Sequence, residues 1–315
     1  MAGANSAIAR DSSAAAAPAR SWLQWLIWSD GFWAFLFLLP TFLGLTIVLG
    51  SVVGGFIISL TRWDILTPPE WVGIGNYLAI FREDELFRKS LFNTLYFTVG
   101  VVPLGTIFSL IAAVIMNQNL KGRSLFRTVY FLPTVCSGIA IALLWAWLYN
   151  AQFGLINALL RSVGLPKVAW LGDSRYAMPS VIIMSIWRGL GYNMILFLAG
   201  LQGIPQEYYE AATIDGASRW QIFRRITVPL LSPTTFFVVV LSLIGSFQVF
   251  EATYIMTQGG PYYATYTMVL LIFIQGFQWF RMGYASALAY ILFAIILAVT
   301  LLQLRLEKRW VHYGA

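Results

Sequence analysis

Two stretches of this 315-residue chain set hydrogen-bonding side chains into otherwise apolar sequence. Trp187, Arg188, Tyr192 and Asn193 lie within the run Met178–Leu201. Ser242, Gly245, Ser246, Gln248, Glu251 and Thr253 fall within twelve residues of the run Leu230–Met256. Polar groups in such runs are costly in lipid, so they face a cavity or a neighbouring helix. The amides of Asn193 and Gln248 can give and accept hydrogen bonds at once, and Tyr192 and Trp187 add ring faces. That is the chemistry of holding a polar solute, not of bond breaking. On a continuous helix Ser242, Gly245, Ser246 and Val249 share one stripe, with Gln248 and Glu251 beside it. Ser242 and Gly245 suit helix packing better than solute contact, whereas Asn193 and Gln248 are assigned to the cavity.

Arg188 and Glu251 are the charges set deepest in apolar runs. A straight helix from Leu230 carries Glu251 about 30 Å along its axis, near the far surface, and Arg188 stands about 20 Å from Leu201. The two either pair or reach water separately; the sequence admits both. No catalytic or metal set accompanies them. Cys136 is the one cysteine and His312 the one histidine, which excludes a zinc site, a Cys–His pair, a Ser–His–Asp triad and an intrachain disulfide. None of the four lysines follows a glycine, so no phosphate-cradling GxxxxGK[ST] loop exists.

Hydrophobic residues make up 59% of the chain and charged residues 10%. A soluble domain has about a quarter of its residues charged, so the solvent for most of this chain is a bilayer. Six runs are long enough to cross about 30 Å of hydrocarbon: Phe32–Leu60, Leu91–Met116, Thr128–Tyr149, Met178–Leu201, Leu230–Met256 and Gly283–Leu304. Tyr266–Phe280 is shorter and reads as an interfacial or re-entrant helix anchored by Trp279 and Phe280. Gly283, Ala285, Ala287 and Ala289 read as a packing seam. Residues 1–31 form a tail, disordered over 1–20, and residues 305–315 a second tail; no signal-peptide core precedes the first run.

The net charge of +7 is scattered in short loops and makes no nucleic-acid stripe. With six spans both termini share one side. That side holds eleven basic residues, including the tight turn Lys121, Arg123, Arg127 and the cluster Arg219, Arg224, Arg225; the other side holds eight. The excess predicts that both termini and the 4–5 connection are cytosolic.

That connection, Gln202–Pro229, is the most distinctive block in the chain. It carries six charges between two apolar spans. Pro205 suits the first turn of a short helix, and Glu207 and Glu210 suit its positive end. Ala211 and Ala212 are small enough for another protein to approach the backbone. Asp215-Gly216 supplies a tight turn, and Ser218 with Gln221 three residues on has capping-box spacing.

The order Glu210-Ala211-Ala212, Gly216, Ile226, Pro229 resembles the "EAA" loop of permease subunits in binding-protein-dependent ABC importers. Val72–Tyr77, Asn93-Thr94, Leu132-Pro133, Gly191-Tyr192-Asn193, Leu198–Leu201 and Gly259-Gly260-Pro261 resemble the carbohydrate branch, of maltose and glycerol-3-phosphate type. The likeness runs from about Phe32 to Tyr313; Val228 stands where the family more often has leucine.

The resemblance implies an all-α integral membrane protein of six spans (residues 32–304) with a cytosolic coupling helix between spans 4 and 5. It implies a permease subunit of the bacterial inner membrane, not an enzyme, forming half of the path for a sugar or oligosaccharide. Glycerol phosphate or another polyol is the alternative solute, and a secondary transporter or channel the alternative class. Glu207, Glu210, Ala211, Ala212, Asp215 and Gly216 are implied to meet the ATPase. Tyr192, Asn193, Ser246, Gln248 and Glu251 are assigned to the solute path. Implied partners are a second, different permease, two cytosolic ATPase subunits that bind the ATP and Mg, an extracytoplasmic solute-binding protein and lipid, with no nucleic acid.

Overall fold

The computed structural model describes residues 30–118 and 121–311. The tail expected at 1–20 and the histidine at 312 lie outside the described residues. Residues up to Gly54 and residues from Gly55 onward form two compact units. The described part of the first unit belongs to helix α1 (Asp30–Ser59), an apolar helix that continues into the second.

In the second unit, a short antiparallel pair, β1 (Thr61–Arg62) with β2 (Glu70–Trp71), precedes α2 (Gly75–Glu83) and α3 (Glu85–Asn117). Next come α4 (Arg123–Val135), α5 (Gly138–Leu148), α6 (Leu155–Ser162) and α7 (Ser174–Gln202). The chain closes with α8 (Gln206–Ile214), α9 (Arg219–Leu230), α10 (Ser232–Phe247), α11 (Glu251–Thr257), α12 (Met268–Gln278) and α13 (Met282–Trp310). Among the described residues, four unbroken helices, α1, α3, α7 and α13, are long and apolar enough to cross a membrane. Two bent pairs, α4 with α5 (101°) and α9 with α10 (63°), raise the count to six if each is one span.

The third and fifth expected spans are therefore not straight. Thr128–Tyr149 breaks at Cys136-Ser137, where the backbone turns extended three residues after Pro133, a residue that cannot donate into the helix. Leu230–Met256 also fails as one helix. Its helix stops at Phe247, and Gln248–Phe250 form a break before α11. The Val249 carbonyl freed there accepts a hydrogen bond from Thr267 Oγ1 at 3.1 Å. Glu251 thus opens a separate short helix, where a carboxylate suits the positive end, and the 30 Å extrapolation along one axis does not hold. At the far end α13 runs through Trp310, beyond the tail boundary expected at Leu304.

Segment α12 packs into the protein: Met268, Leu270 and Leu271 are fully buried in one core with Phe87, Phe247 and Leu288. Asn93 and Thr94 on α3 fix this segment. The Asn93 amide donates to the carbonyls of Tyr263 and Tyr266 (2.7 and 3.0 Å), and Thr94 Oγ1 accepts from Met268 N at 3.0 Å. Of the expected small-residue seam, Ala285 and Ala287 are buried and Gly283 leaves no room for a Cβ against the Thr61 carbonyl, whereas Ala289 is half-buried and borders a cavity. Helices α3 and α7 lie together, with Ser109 Oγ donating to the Leu190 carbonyl at 3.3 Å. Asp173 caps α7 and holds Arg175 at 2.8 Å, and those hydrogen bonds keep its carboxyl below the usual carboxylate range.

Candidate functional site

Block Gln202–Pro229 folds as two short helices joined by a turn. Pro205 stands at the N-cap of α8, one position before the first turn expected for it, and Glu207 lies within that turn. The C-terminus of α8 is closed by a paired motif. Ala217 N donates to the Ala212 carbonyl (3.0 Å) and Gly216 N to the Thr213 carbonyl (3.1 Å). Such a closure needs a left-handed residue between them, and Gly216 supplies it with φ +76. The expected capping box is present: Ser218 N donates to Gln221 Oε1 (2.7 Å) and Gln221 N to Ser218 Oγ (3.4 Å).

Glu207, Glu210, Ala211, Asp215 and Gly216 are exposed and Ala212 is half-buried, so these residues do share one protruding element. Sequence reasoning missed its apolar part. Ile214 is 86% exposed, Trp220 is 66% exposed with its ring stacked on Phe223 at 5.6 Å, and Tyr208 is half exposed. Large apolar side chains inside a charged loop were the available signal. The element is anchored on its inner side. Tyr209 and Thr227 hydroxyls lie 3.3 Å apart, and Leu201 and Leu231 at the bases of α7 and α10 are buried in one core with Phe197 and Met116. Gly200 lets α10 come so close that a Cβ would meet the Thr234 side chain. Packed side chains thus connect α8 and α9 to the bases of α7 and α10.

The polar side chains of the apolar runs are only partly brought together. Asn193 on α7 donates to Ser242 Oγ on α10 at 3.3 Å, so this amide bridges the two helices. Tyr192 is 44% exposed beside it. Arg188 and Glu251 do pair, Nη1 to Oε2 at 3.2 Å, which closes the question the sequence left open. Gln248, in the break after α10, is exposed at the rim of a cavity of about 360 Å³ lined by Ile272, Phe293, Leu297 and Thr300 among others. Ser246 is buried and bonded to Thr98 Oγ1 at 3.1 Å, which places it in the seam between α3 and α10. Gly138 was not singled out in the sequence. It is buried where a Cβ would strike both Arg188 and Glu251.

A family model described as "Binding-protein-dependent transport system inner membrane component" matches residues 105–312. The chain is 39% identical over 260 residues to the probable ABC transporter permease protein YesP of Bacillus subtilis, covering 81% of this chain and 84% of YesP. It is 37% identical over 266 residues to the trehalose/maltose transport system permease protein MalF of Thermococcus litoralis, covering 84% and 89% of the two chains. Among solved structures, a chain of a bacterial alginate ABC transporter in complex with alginate pentasaccharide-bound periplasmic protein aligns over 90% of this chain and 96% of its own, with TM-score 0.80 and 25% identity. A second, of a bacterial ABC transporter involved in import of the acidic polysaccharide alginate, aligns over 88% of this chain and 96% of its own at 27% identity and TM-score 0.80.

Proposed function

The chain belongs to the family of binding-protein-dependent transport system inner membrane components, and from that premise we propose that it is a permease subunit of an ATP-driven importer of saccharides. It crosses the membrane six times, counting each bent pair as one span, with both termini and the α8–α9 element cytosolic. A second permease completes the path, two ATPase subunits bind ATP and Mg and drive it, and an extracytoplasmic binding protein delivers the solute. The observation that carries this reading is the α8–α9 element itself. It is exposed, closed at its central turn by the Gly216 motif and the Ser218–Gln221 capping box, and seated on the packed bases of α7 and α10. Glu207, Glu210, Ala211, Ala212, Asp215 and Gly216 then form its ATPase-facing surface, with Ile214 and Trp220 as apolar anchors.

The test is topological. In a Cys136→Ser background, Ser218→Cys is expected to resist a membrane-impermeant maleimide in intact cells and to react after permeabilisation, whereas Leu66→Cys, 90% exposed in the β1–β2 loop, reacts from outside. Labelling of Ser218→Cys from outside rejects the reading, because a docking element on that face cannot meet a cytosolic ATPase.

The solute path is assigned to the polar faces of α7, α10 and α11: Tyr192, Asn193, Gln248 and Glu251. Ser246, spent on Thr98, shapes the path through packing. Asn193→Ala and Gln248→Ala are each expected to lower uptake about 2–10-fold, the value of a net hydrogen bond of about 0.5–1.5 kcal/mol, with complex assembly retained. Initial uptake of radiolabelled maltose or trehalose, whichever the cognate binding protein retains, measures this. Unchanged uptake in both variants removes α7 and α10 from the lining.

A further inference from the structure

Among the described residues, Arg188 stands mid-way along α7, and Glu251 opens α11 just beyond the break that ends α10. Their side chains are 37% and 50% exposed, so the pair borders open space and is not sealed in a core. It is also built in, not a chance meeting of two long side chains. Gly138, the first residue of α5, is buried directly against it: a Cβ there would overlap Glu251 Oε2 and come within 2.6 Å of Arg188 Nη2. Thr134 Oγ1 on α4 donates to the Arg188 carbonyl at 3.2 Å. Two of the chain breaks thus converge on one ion pair, the α4–α5 bend through Gly138 and Thr134, and the α10–α11 break through Glu251.

Opposite unit charges in contact leave little field beyond their own neighbourhood, whereas either alone would impose its sign along a narrow path. We propose that Arg188, Glu251 and the Gly138 socket form a charge-compensating selectivity element, which keeps the path electrically neutral so that uncharged saccharides or polyols pass without a cation to favour anions. This rests on the assignment of the path to α7, α10 and α11 made above.

Cys136 provides a native reporter, since it is exposed and only two residues, at most about 7 Å along the chain, from Gly138. The complete transport complex in lipid vesicles is treated with an anionic and a cationic methanethiosulfonate reagent (ethylsulfonate and ethyltrimethylammonium). Modification of this chain is read by intact mass, with Cys136→Ser as the blank. In the native complex the anion-to-cation rate ratio is expected to lie within about threefold of that for free cysteine, and to change little between about 0.02 and 0.5 M salt. Glu251→Gln is expected to raise the ratio about tenfold, Arg188→Gln to lower it as much, and the double substitution to restore it. The salt series on the native chain decides the matter even if a single variant fails to assemble. A strongly salt-dependent native ratio, or a ratio indifferent to both single substitutions, overturns the proposal and leaves the path assignment standing. If Cys136 reacts with neither reagent in the native complex, the path assignment itself falls, and the proposal with it.

Discussion

Replacing Gly216 by valine is expected to leave the spanning helices inserted and the complex assembled while reducing transport to background. Gly216 holds φ +76 at the closure of α8, and among the described residues beyond its two chain neighbours no heavy atom lies within 4 Å of a Cβ placed there. The intrachain cost is therefore backbone strain of about 1–2 kcal/mol, not a clash. That strain falls on the two hydrogen bonds that fix the end of α8, Ala217 to Ala212 and Gly216 to Thr213. A valine side chain also projects into the space where the ATPase would dock. The strain and the docking effect can be separated, because asparagine tolerates the left-handed conformation: Gly216→Asn is expected to keep much of the uptake. Glu210→Ala, which removes a charge but no backbone freedom, should be milder than Gly216→Val. Uptake and ATPase retention measured on the same vesicles decide the matter. Undiminished uptake by Gly216→Val would mean that α8 does not couple ATP hydrolysis to movement.

A second large effect is expected from Gly191→Ala on α7. A Cβ at this position would overlap the Tyr130 carbonyl and lie 2.8 Å from the Phe131 Cα. Backbone cannot rotate aside as a side chain can, so α4 must move off α7. Overpacking of this kind costs about 1–3 kcal/mol, and more where the neighbour is rigid. The yield of assembled complex and its thermal midpoint in detergent should both fall clearly. Gly189→Ala, two residues away on the same helix with no atom beyond its chain neighbours and the surrounding helix backbone within 4 Å among the described residues, is the matched control and should behave as the parent chain. Equal stability of the two variants would show that the α4–α7 approach is not as tight as its geometry indicates.

These two glycines also show where sequence reasoning reaches and where it stops. Gly216 was legible because its role is local. Asp215-Gly216 after a short helix, followed by Ser218 and Gln221, fixes a turn and a capping box through partners within a few residues. The same holds for the apolar runs, whose length and lack of charge dictate a bilayer whatever their packing. The protruding charged block, the membrane class and the family likeness were set in this way.

Tertiary structure decided the rest. No local rule marks Gln248–Phe250 as a break, because a break is tolerable only if the freed carbonyl finds a partner, and that partner, Thr267, lies eighteen residues on. Once the helix stops there, counting 1.5 Å per residue from Leu230 no longer locates Glu251. Its pairing with Arg188 across sixty-three residues, and the missing Cβ of Gly138 that makes room for it, follow from the folded chain alone. Ser246 shows the converse: a serine on an apolar helix fits a solute path and a helix seam equally well, and only the arrival of Thr98 from α3 assigns it to the seam. Short-range hydrogen bonds and solvent preference are written into neighbouring residues, whereas the partner of a group held across the fold is set by the path of the intervening chain.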